Sequence, residues 1–398
     1  MNKVLKCQKM SLRTNLKLVE AVNFEEKVGS FWAASNTSED LHYVHSLHQT
    51  IPVQNSTSPE LVSYFLSQYS IKGDVVLDPF CGTGTVPLEV NLHGRIAAFS
   101  DISPLAMKMA SIKVEPSDIT DVTLLLQQCN VRRPINLSHY TEHFRPFYDI
   151  DTFRELVNLK VFLAEQPSSV ARFVELVAMS LMHGNSAGFF SVYSSPSISL
   201  APQEQDLLNI KRGQVPDYRA VLPRILRKAA TILRDGVSGS TRLLHQKNNS
   251  GVCDARDLSY MAASSVNLTI TTPPLPFMPD SFDQMWLRSW FCGNSHRANH
   301  DSDSLEGWQD LMNASLLELA RVTKPGGRAV VNLKHVKAGK ELIPTDRILL
   351  QDVRESLCRY WDAEGLVVNQ PKGSTVKNRN RDLRQEENSD RVVILRRR

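Results

Sequence analysis

Short, nearly unbroken apolar runs recur along the chain at Asp74-Val75-Val76-Leu77, Arg95-Ile96-Ala97-Ala98-Phe99-Ser100, Asn267-Leu268-Thr269-Ile270 and Arg328-Ala329-Val330-Val331-Asn332-Leu333. Runs of this length without alternation predict strands covered on both faces, as in a parallel sheet. Between them the apolar period shifts to that of a helix. Ser58-Pro59-Glu60 opens one, with Ser58 as N-cap, Pro59 at the first position and a stripe of Leu61, Val62, Phe65 and Leu66. Val86 to Val90 continues a second after a glycine turn, and Pro104 opens a third carrying Leu105, Met107, Ala110 and Ile112. Strand, glycine turn, helix and strand in close succession make a βαβ unit.

From residue 118 the pattern becomes mainly helical. Thr152 to Glu165, Val170 to His183 and Tyr218 to Leu233 have amphipathic spacing, and loops such as Ser191 to Pro202 join them. The α/β pattern resumes at Gly251, with a helix over Leu311 to Arg321 and a turn at Lys324-Pro325-Gly326-Gly327. A helix over Asp346 to Tyr360 and a closing edge strand at Arg391 to Leu395 complete it. The expected organisation is an irregular polar arm or short helix over 1–41, a first α/β part over 42–117, a helical insertion over 118–240 and a second α/β part over 241–398 with a basic edge.

Composition adds little. The formal charge of +4 is small, but Lys377, Arg379, Arg381, Arg384, Arg391 and Arg396-Arg397-Arg398 concentrate it near the end. That cluster, and Lys211, Arg212, Arg219, Arg224, Arg227 and Lys228 in the insertion, could neutralise phosphates or simply be solvated. The 6 cysteines show no CxxC pair or other metal-ligand spacing, so no metal is expected. Nothing at the start reads as a signal peptide, and no stretch approaches the ~20 apolar residues of a membrane helix. The expectation is a soluble cytoplasmic protein.

The chemistry concentrates at Asp78-Pro79-Phe80-Cys81-Gly82-Thr83-Gly84-Thr85. A glycine turn between strand and helix lets a ligand approach the backbone, and dehydrogenases use similar turns. Asp78 discriminates between them. A carboxylate at the strand end repels a pyrophosphate but accepts charge-assisted hydrogen bonds from the ammonium of an amino acid moiety. Asp101 ends the next strand, where an acid grips ribose hydroxyls. Asp254 is placed to receive an adenine amino group, with Asp257 as a competitor. Both Asp78 and Asp101 could instead merely cap helices.

This motif resembles the first motif of the amino-group methyltransferases, enzymes that methylate exocyclic nitrogens of DNA bases. More narrowly, the chain is similar to a bacterial group of site-specific DNA methyltransferases of the N4-cytosine kind. The shared features are a His-rich segment before the motif, Asp101-Ile102-Ser103-Pro104-Leu105-Ala106, Phe147-Tyr148-Asp149, Met182-His183-Gly184, Asp283 to Trp290 and Lys324 to Gly327, over most of residues 42 to 395. The resemblance implies a Rossmann-like, S-adenosylmethionine-dependent fold with a mixed, mostly parallel sheet. It also implies a cofactor pocket from Asp78, Pro79, Phe80, Gly82, Thr83, Gly84, Thr85, Asp101, Ile102 and Asp254, and DNA as partner. A restriction or defence protein would fit as a second partner.

In that family a later strand ends in a polar residue, Pro-Pro and an aromatic; here Thr272-Pro273-Pro274-Leu275 takes the place. By analogy, the Thr272 hydroxyl and the Pro273 carbonyl accept the two amino hydrogens, so the nitrogen lone pair points at the methyl carbon. The base is first rotated out of the duplex. Leu275 departs from the family's stacking aromatic, whose loss is worth roughly 1–3 kcal/mol; Phe277 is a nearby substitute. The resemblance implies methylation of cytosine N4, then adenine N6. The alternatives are a guanine-N2 RNA enzyme or a non-catalytic cofactor-binding homologue. His45 and His48 are candidate pocket residues. His183 reads as a helix-ending residue, and Trp286 and Trp290 as a core-facing stripe with Arg288 between.

Overall fold

The computed structural model describes residues 25–29, 31, 44–51, 53, 57–138, 140–279, 282, 284–293, 301–339, 341–369 and 389–398. Its strands are β1 (Glu25–Gly29), β2 (Val75–Asp78), β3 (Ile96–Asp101), β4 (Asn249–Val252), β5 (Val266–Thr271), β6 (Thr323–Leu333), β7 (Val336–Ala338), β8 (Glu341–Ile343), β9 (Trp361–Asn369) and β10 (Asp390–Arg397). β7 and β8 form a small hairpin, and the others make one 8-stranded sheet in the order β1-β9-β10-β6-β5-β2-β3-β4. β10 is antiparallel to both neighbours, whereas β1 with β9 and the run β6-β5-β2-β3-β4 are paired in parallel. Strand order reverses between β5 and β2, which places the topological switch point of this Rossmann-like α/β fold there.

The helices that frame the sheet form where the sequence predicts. Ser58 caps α1 (Pro59–Tyr69) by accepting from the Leu61 amide, and Ser103 caps α3 (Pro104–Val114) through Ala106. Between them lies α2 (Thr85–Leu92). The helices α4 (Ile119–Gln127), α5 (Ile150–Ala164), α6 (Ser169–Leu181), α7 (Pro202–Arg212), α8 (Val221–Ile232) and α9 (Gly239–His245) intervene before β4. Of these, α4, α5, α6 and α8 share one apolar core with α1 to α3 and one sheet face, a cluster that includes Val76, Phe99, Ile270 and Val392 with Leu156, Phe173, Val177 and Ile225. The opposite face packs Leu77, Ala98, Val331 and Val393 against α11 (Leu305–Val322) and α12 (Thr345–Ser356). Between them in sequence, α10 (Trp286–Cys292) carries Arg288, fully buried and donating to the carbonyls of Met179, Pro196 and Ser197. Burial pushes its guanidinium down to about 10, still protonated at neutral pH, so it acts as a cationic staple for the Ser191 to Pro202 loop.

Three sequence expectations are corrected. The closing strand is not an edge: Val392 to Leu395 are buried on both faces, and β9, unanticipated, covers its far side. The edge belongs instead to β1, inside the expected irregular arm; its single large apolar residue, Val28, is 56% exposed, which suits a polar strand that discourages further pairing. Lys324 to Gly327 is not a free turn but lies within β6, where the register with β5 shifts. Gly327 permits that passage, since a Cβ there would stand 2.9 Å from the Asn267 carbonyl oxygen.

The register also orients the charges. Arg391 pairs opposite Leu333 and Arg396 opposite Arg328, so β10 carries its C-terminal arginines to the end where the parallel strands begin. The register through Arg328 and Leu268 sets Arg396 level with Val76, three strands across and roughly 7 Å back from Asp78 along the strand direction at ~3.3 Å per residue. No helix among the described residues is long and apolar enough to cross a membrane.

Candidate active site

β2 delivers Asp78 to the carboxyl end of the sheet at the switch point, 3% exposed. Its Oδ1 accepts from the Thr271 hydroxyl at 2.6 Å and from the Phe80 amide at 3.2 Å. Burial pushes the carboxyl up to about 7; the two hydrogen bonds oppose this and nearby Asp101 adds to it. Among the described residues no cation pairs with it.

Asp101, ending β3, does not simply cap a helix. Its Oδ2 accepts from the Gly82 amide at 2.9 Å and its Oδ1 from the Ser103 amide at 2.9 Å, so the acid also shapes the glycine loop. The loop closes through the Gly84 amide on the Cys81 carbonyl at 2.8 Å. Gly84 is left-handed, with φ of 79°, and a Cβ there would meet Ala110 Cα at 2.7 Å. This glycine lets α2 lie against α3. It is a packing residue, not a pocket wall.

One cavity gathers most of the expected site. Asp78, Pro79, Phe80, Gly82, Thr83 and Thr85 line it from the first loop, and Asp101, Ile102 and Asp254 from the next two strand ends. Thr272, Pro273 and Pro274 line it from beyond β5. Leu275 does not. It is 8% exposed and packs with Trp308 and Met312 in the core on the opposite face. Phe277 stands outside as well, 44% exposed and held at φ 61° while its amide donates to the Ser302 carbonyl at 2.7 Å.

The far wall holds two further constellations. The Thr272 and Thr57 hydroxyl oxygens are 2.6 Å apart, and the Asn332 side-chain amide donates to Thr272 at 3.4 Å. Trp308 Nε1 donates to the Pro274 carbonyl at 2.8 Å, anchoring the Pro-Pro segment. At the rim, Asp254 accepts from Arg256, whose guanidinium also reaches Asp301 at 2.9 Å. Burial pushes Asp254 up, but the Arg256 hydrogen bonds and charge overcome it and hold the acid below its usual value. Asp257, its competitor, lies outside the cavity lining and accepts from the Ser259 amide.

Sequence reasoning missed Val53, Thr57, Met278, Pro279, Phe282, Ser302 and Leu311, all of which line the cavity. They come from segments joined only by tertiary contact, and no spacing rule links them. The histidines resolve as structural. His48 Nε2 meets Glu89 at 2.6 Å and burial pushes the ring down to about 4, while His45 bonds the Gly236 carbonyl. Buried His183 is fixed by Ser195 and Ser199. Trp286 and Trp290 pack on Phe144, with ring centroids 5.6 and 4.5 Å apart.

Several of the candidate phosphate contacts are engaged internally. Arg219 donates to the Phe189 and Ser191 carbonyls, Arg224 to Ala220 and Lys228 to Gln49. Arg212 lies over the Tyr193 ring, while Lys211 and Arg227 are exposed. Arg391 is buried against Asp346 at 2.6 Å, and Arg397 and Arg398 bond Ala320 and Asp362. Lys377, Arg379, Arg381 and Arg384 lie outside the described residues.

With this geometry in place, residues 6–111 match the family model described as DNA methylase, a span that carries the whole glycine loop. That segment is similar to the DNA methylases of the amino-methyltransferase family. The chain is 28% identical over 135 residues to the Type II methyltransferase M.MjaII of Methanocaldococcus jannaschii, covering 34% of this chain and 24% of that protein. It is 32% identical over 88 residues to the Type II methyltransferase M.BsoBI of Geobacillus stearothermophilus, covering 22% and 16%. The chain thus spans a quarter or less of the length of these relatives. Among solved structures, TrmN from Thermus thermophilus aligns over 87% of this chain and 50% of its own, at 13% identity and a TM-score of 0.35.

Proposed function

We propose that this chain is an amino-methyltransferase that transfers the methyl group of S-adenosylmethionine to an exocyclic amine of DNA, cytosine N4 first and adenine N6 second. The observation that carries the reading is Asp78: a buried carboxylate without a cation among the described residues, sharing one cavity with Thr272 and Pro273. The cofactor fits these residues. Its ammonium would supply the charge that Asp78 lacks, and Gly82 leaves open space where a Cβ would intrude. Asp101 would hold ribose hydroxyls, and Asp254, oriented by Arg256, the adenine amine. The bound cofactor supplies an electrophilic methyl group.

The protein's part is positional. A base amine is a poor nucleophile because its lone pair is delocalised into the ring. The Thr272 hydroxyl and the Pro273 carbonyl each accept one amine hydrogen, which favours a tetrahedral nitrogen. Trp308 fixes the Pro-Pro segment so that both acceptors keep their spacing. With Leu275 turned into the core, the rings available inside the cavity are Phe80 and Phe282. DNA specificity and any restriction partner belong to the same proposal.

The test is transfer of tritium from labelled S-adenosylmethionine to genomic DNA of a methylation-deficient bacterium, followed by identification of the methylated base. Label in N4-methylcytosine supports the reading. Cofactor binding without transfer to DNA, or transfer only to RNA, overturns it.

A further inference from the structure

Thr272 has been assigned one task, to accept a hydrogen from the target amine, and a hydroxyl does not do this by default. It carries one donor and two lone pairs, and it can equally present its proton to the cavity and repel the amine N–H. Which face it shows depends on its other partners. The structure gives it two, both remote in sequence. The Thr57 hydroxyl lies 2.6 Å away, from the segment just before α1, and the Asn332 side-chain amide 3.4 Å away, from β6.

We infer that Thr57 and Asn332 are positioning residues that set the Thr272 hydroxyl in its hydrogen-accepting orientation. The inference rests on the proposed amine chemistry. Asn332 Nδ2 can only donate, so it occupies one Thr272 lone pair and offers no place for the Thr272 proton. Thr57 Oγ1, 2.6 Å away, can accept that proton and so draw it away from the cavity. The remaining lone pair faces the cavity that both threonines line.

A second observation supports the assignment. Asn332 is 3% exposed, and its Oδ1 is buried with no hydrogen-bond partner among the described residues. An orphaned carbonyl in a sheet interior lowers stability, and an apolar residue would avoid it. The neighbouring β6 residues Val330, Val331 and Leu333 are all apolar. What Asn332 contributes at this position is its donor to Thr272.

The experiment compares Thr57→Val, Thr57→Ser, Asn332→Leu and Thr272→Val, each in the full chain, for tritium transfer to the same genomic DNA. Calorimetric binding of S-adenosylhomocysteine and thermal melting serve as controls. Thr57→Val is expected to lower kcat about tenfold with unchanged KM and unchanged affinity for S-adenosylhomocysteine. Thr57→Ser, which keeps the hydroxyl, is expected to stay within about twofold of wild type. Asn332→Leu is expected to match Thr57→Val, and the pair to lose no more than Thr272→Val, since all act through one hydroxyl. If Asn332→Leu fails to fold, half-buried Thr57 decides alone. Wild-type kcat in Thr57→Val beside a large loss in Thr272→Val overturns the inference and leaves the amine chemistry standing. A wild-type protein that binds S-adenosylhomocysteine and methylates no DNA removes both.

Discussion

The two halves of the cavity are built by different means. The half proposed for the methyl donor is largely local: within residues 78–103, Asp78 accepts from Phe80, Asp101 reaches back to Gly82, and Gly84 closes on Cys81, with Thr271 and Asp254 the remote contributions. The half proposed for the acceptor is assembled at long range, with Thr57, Thr272, Trp308 and Asn332 coming from four separate segments. A local loop keeps its shape wherever its own residues are kept. A wall of remote partners can be retuned one residue at a time, which would suit the proposed acceptor role.

The largest effect should follow from breaking the local half at its charge. Asp78→Asn removes the carboxylate while keeping the Thr271 and Phe80 contacts possible, and is expected to weaken S-adenosylmethionine binding at least 100-fold by calorimetry. The same acid predicts a pH dependence. Burial raises its folded-state value from 3.8 to about 7, so the free protein retains the proton on Asp78 and loses stability as pH rises from 4 through 7. An ammonium ligand requires the ionised form, so affinity should rise with pH, at most tenfold per unit, up to about 7 and then level off. In Asp78→Asn that slope should be absent; a slope that persists would exclude Asp78 as the ammonium partner.

A steric break in the same loop comes next. Gly84→Ala must accept a left-handed backbone and a Cβ 2.7 Å from Ala110 Cα, for which about 2–4 kcal/mol of lost stability is expected in chemical denaturation. Gly82→Ala meets nothing within 4 Å and carries only the conformational cost, about 1–2 kcal/mol. Equal losses at the two positions would contradict the distinction between a packing glycine and a pocket glycine.

These differences explain what could be read in advance. The caps at Ser58 and Ser103 were legible because each depends on neighbours within a few residues, and the βαβ unit with its acids at Asp78 and Asp101 because each acid ends a strand beside the glycine turn. Leu275 was placed in the pocket by analogy with a motif, but the strained backbone at Phe277 and the Trp308 anchor turn this segment so that Leu275 enters the core. The edge strand was misassigned because Val392 to Leu395 cannot reveal how many strands lie beyond them; β9 decides that. Thr57 and Asn332 carried no signal at all, since a threonine before a helix and an asparagine in a strand are ordinary until the fold joins them.

The acceptor half can be sharpened by two substitutions of intermediate effect. Leu275→Tyr, which the motif would favour, should bring a phenol into a filled core and cost about 1–3 kcal/mol of stability without raising methyl transfer. A gain in activity would mean that this segment turns its fourth residue toward the base after all. Trp308→Phe keeps an aromatic ring but deletes the hydrogen bond to Pro274, worth about 1 kcal/mol, and leaves a small cavity beside it; it should lower kcat roughly fivefold with cofactor affinity unchanged.

The smallest effect is expected at the far end of the sheet, and it is informative for that reason. Arg396 and Arg398 looked from the sequence like phosphate contacts, yet β10 runs against its neighbours and delivers them beside Arg328 and Asp362, at the end opposite the cavity. At the end of β10 these side chains stand three strands from β2, roughly 14 Å at ~4.8 Å per strand, and toward the strand starts rather than the carboxyl ends where a base would enter. Replacing both with alanine should change DNA affinity less than twofold at 150 mM salt and leave the salt dependence of binding almost unaltered, because few counterions are released there. The exposed pair Lys211 and Arg227 in the helical insertion offers the contrast: charge removal there should weaken binding several-fold and flatten the salt slope by about two. If the tail arginines carried the larger effect, the duplex would have to reach around the sheet, and the reading of Lys211 and Arg227 as phosphate contacts would fail.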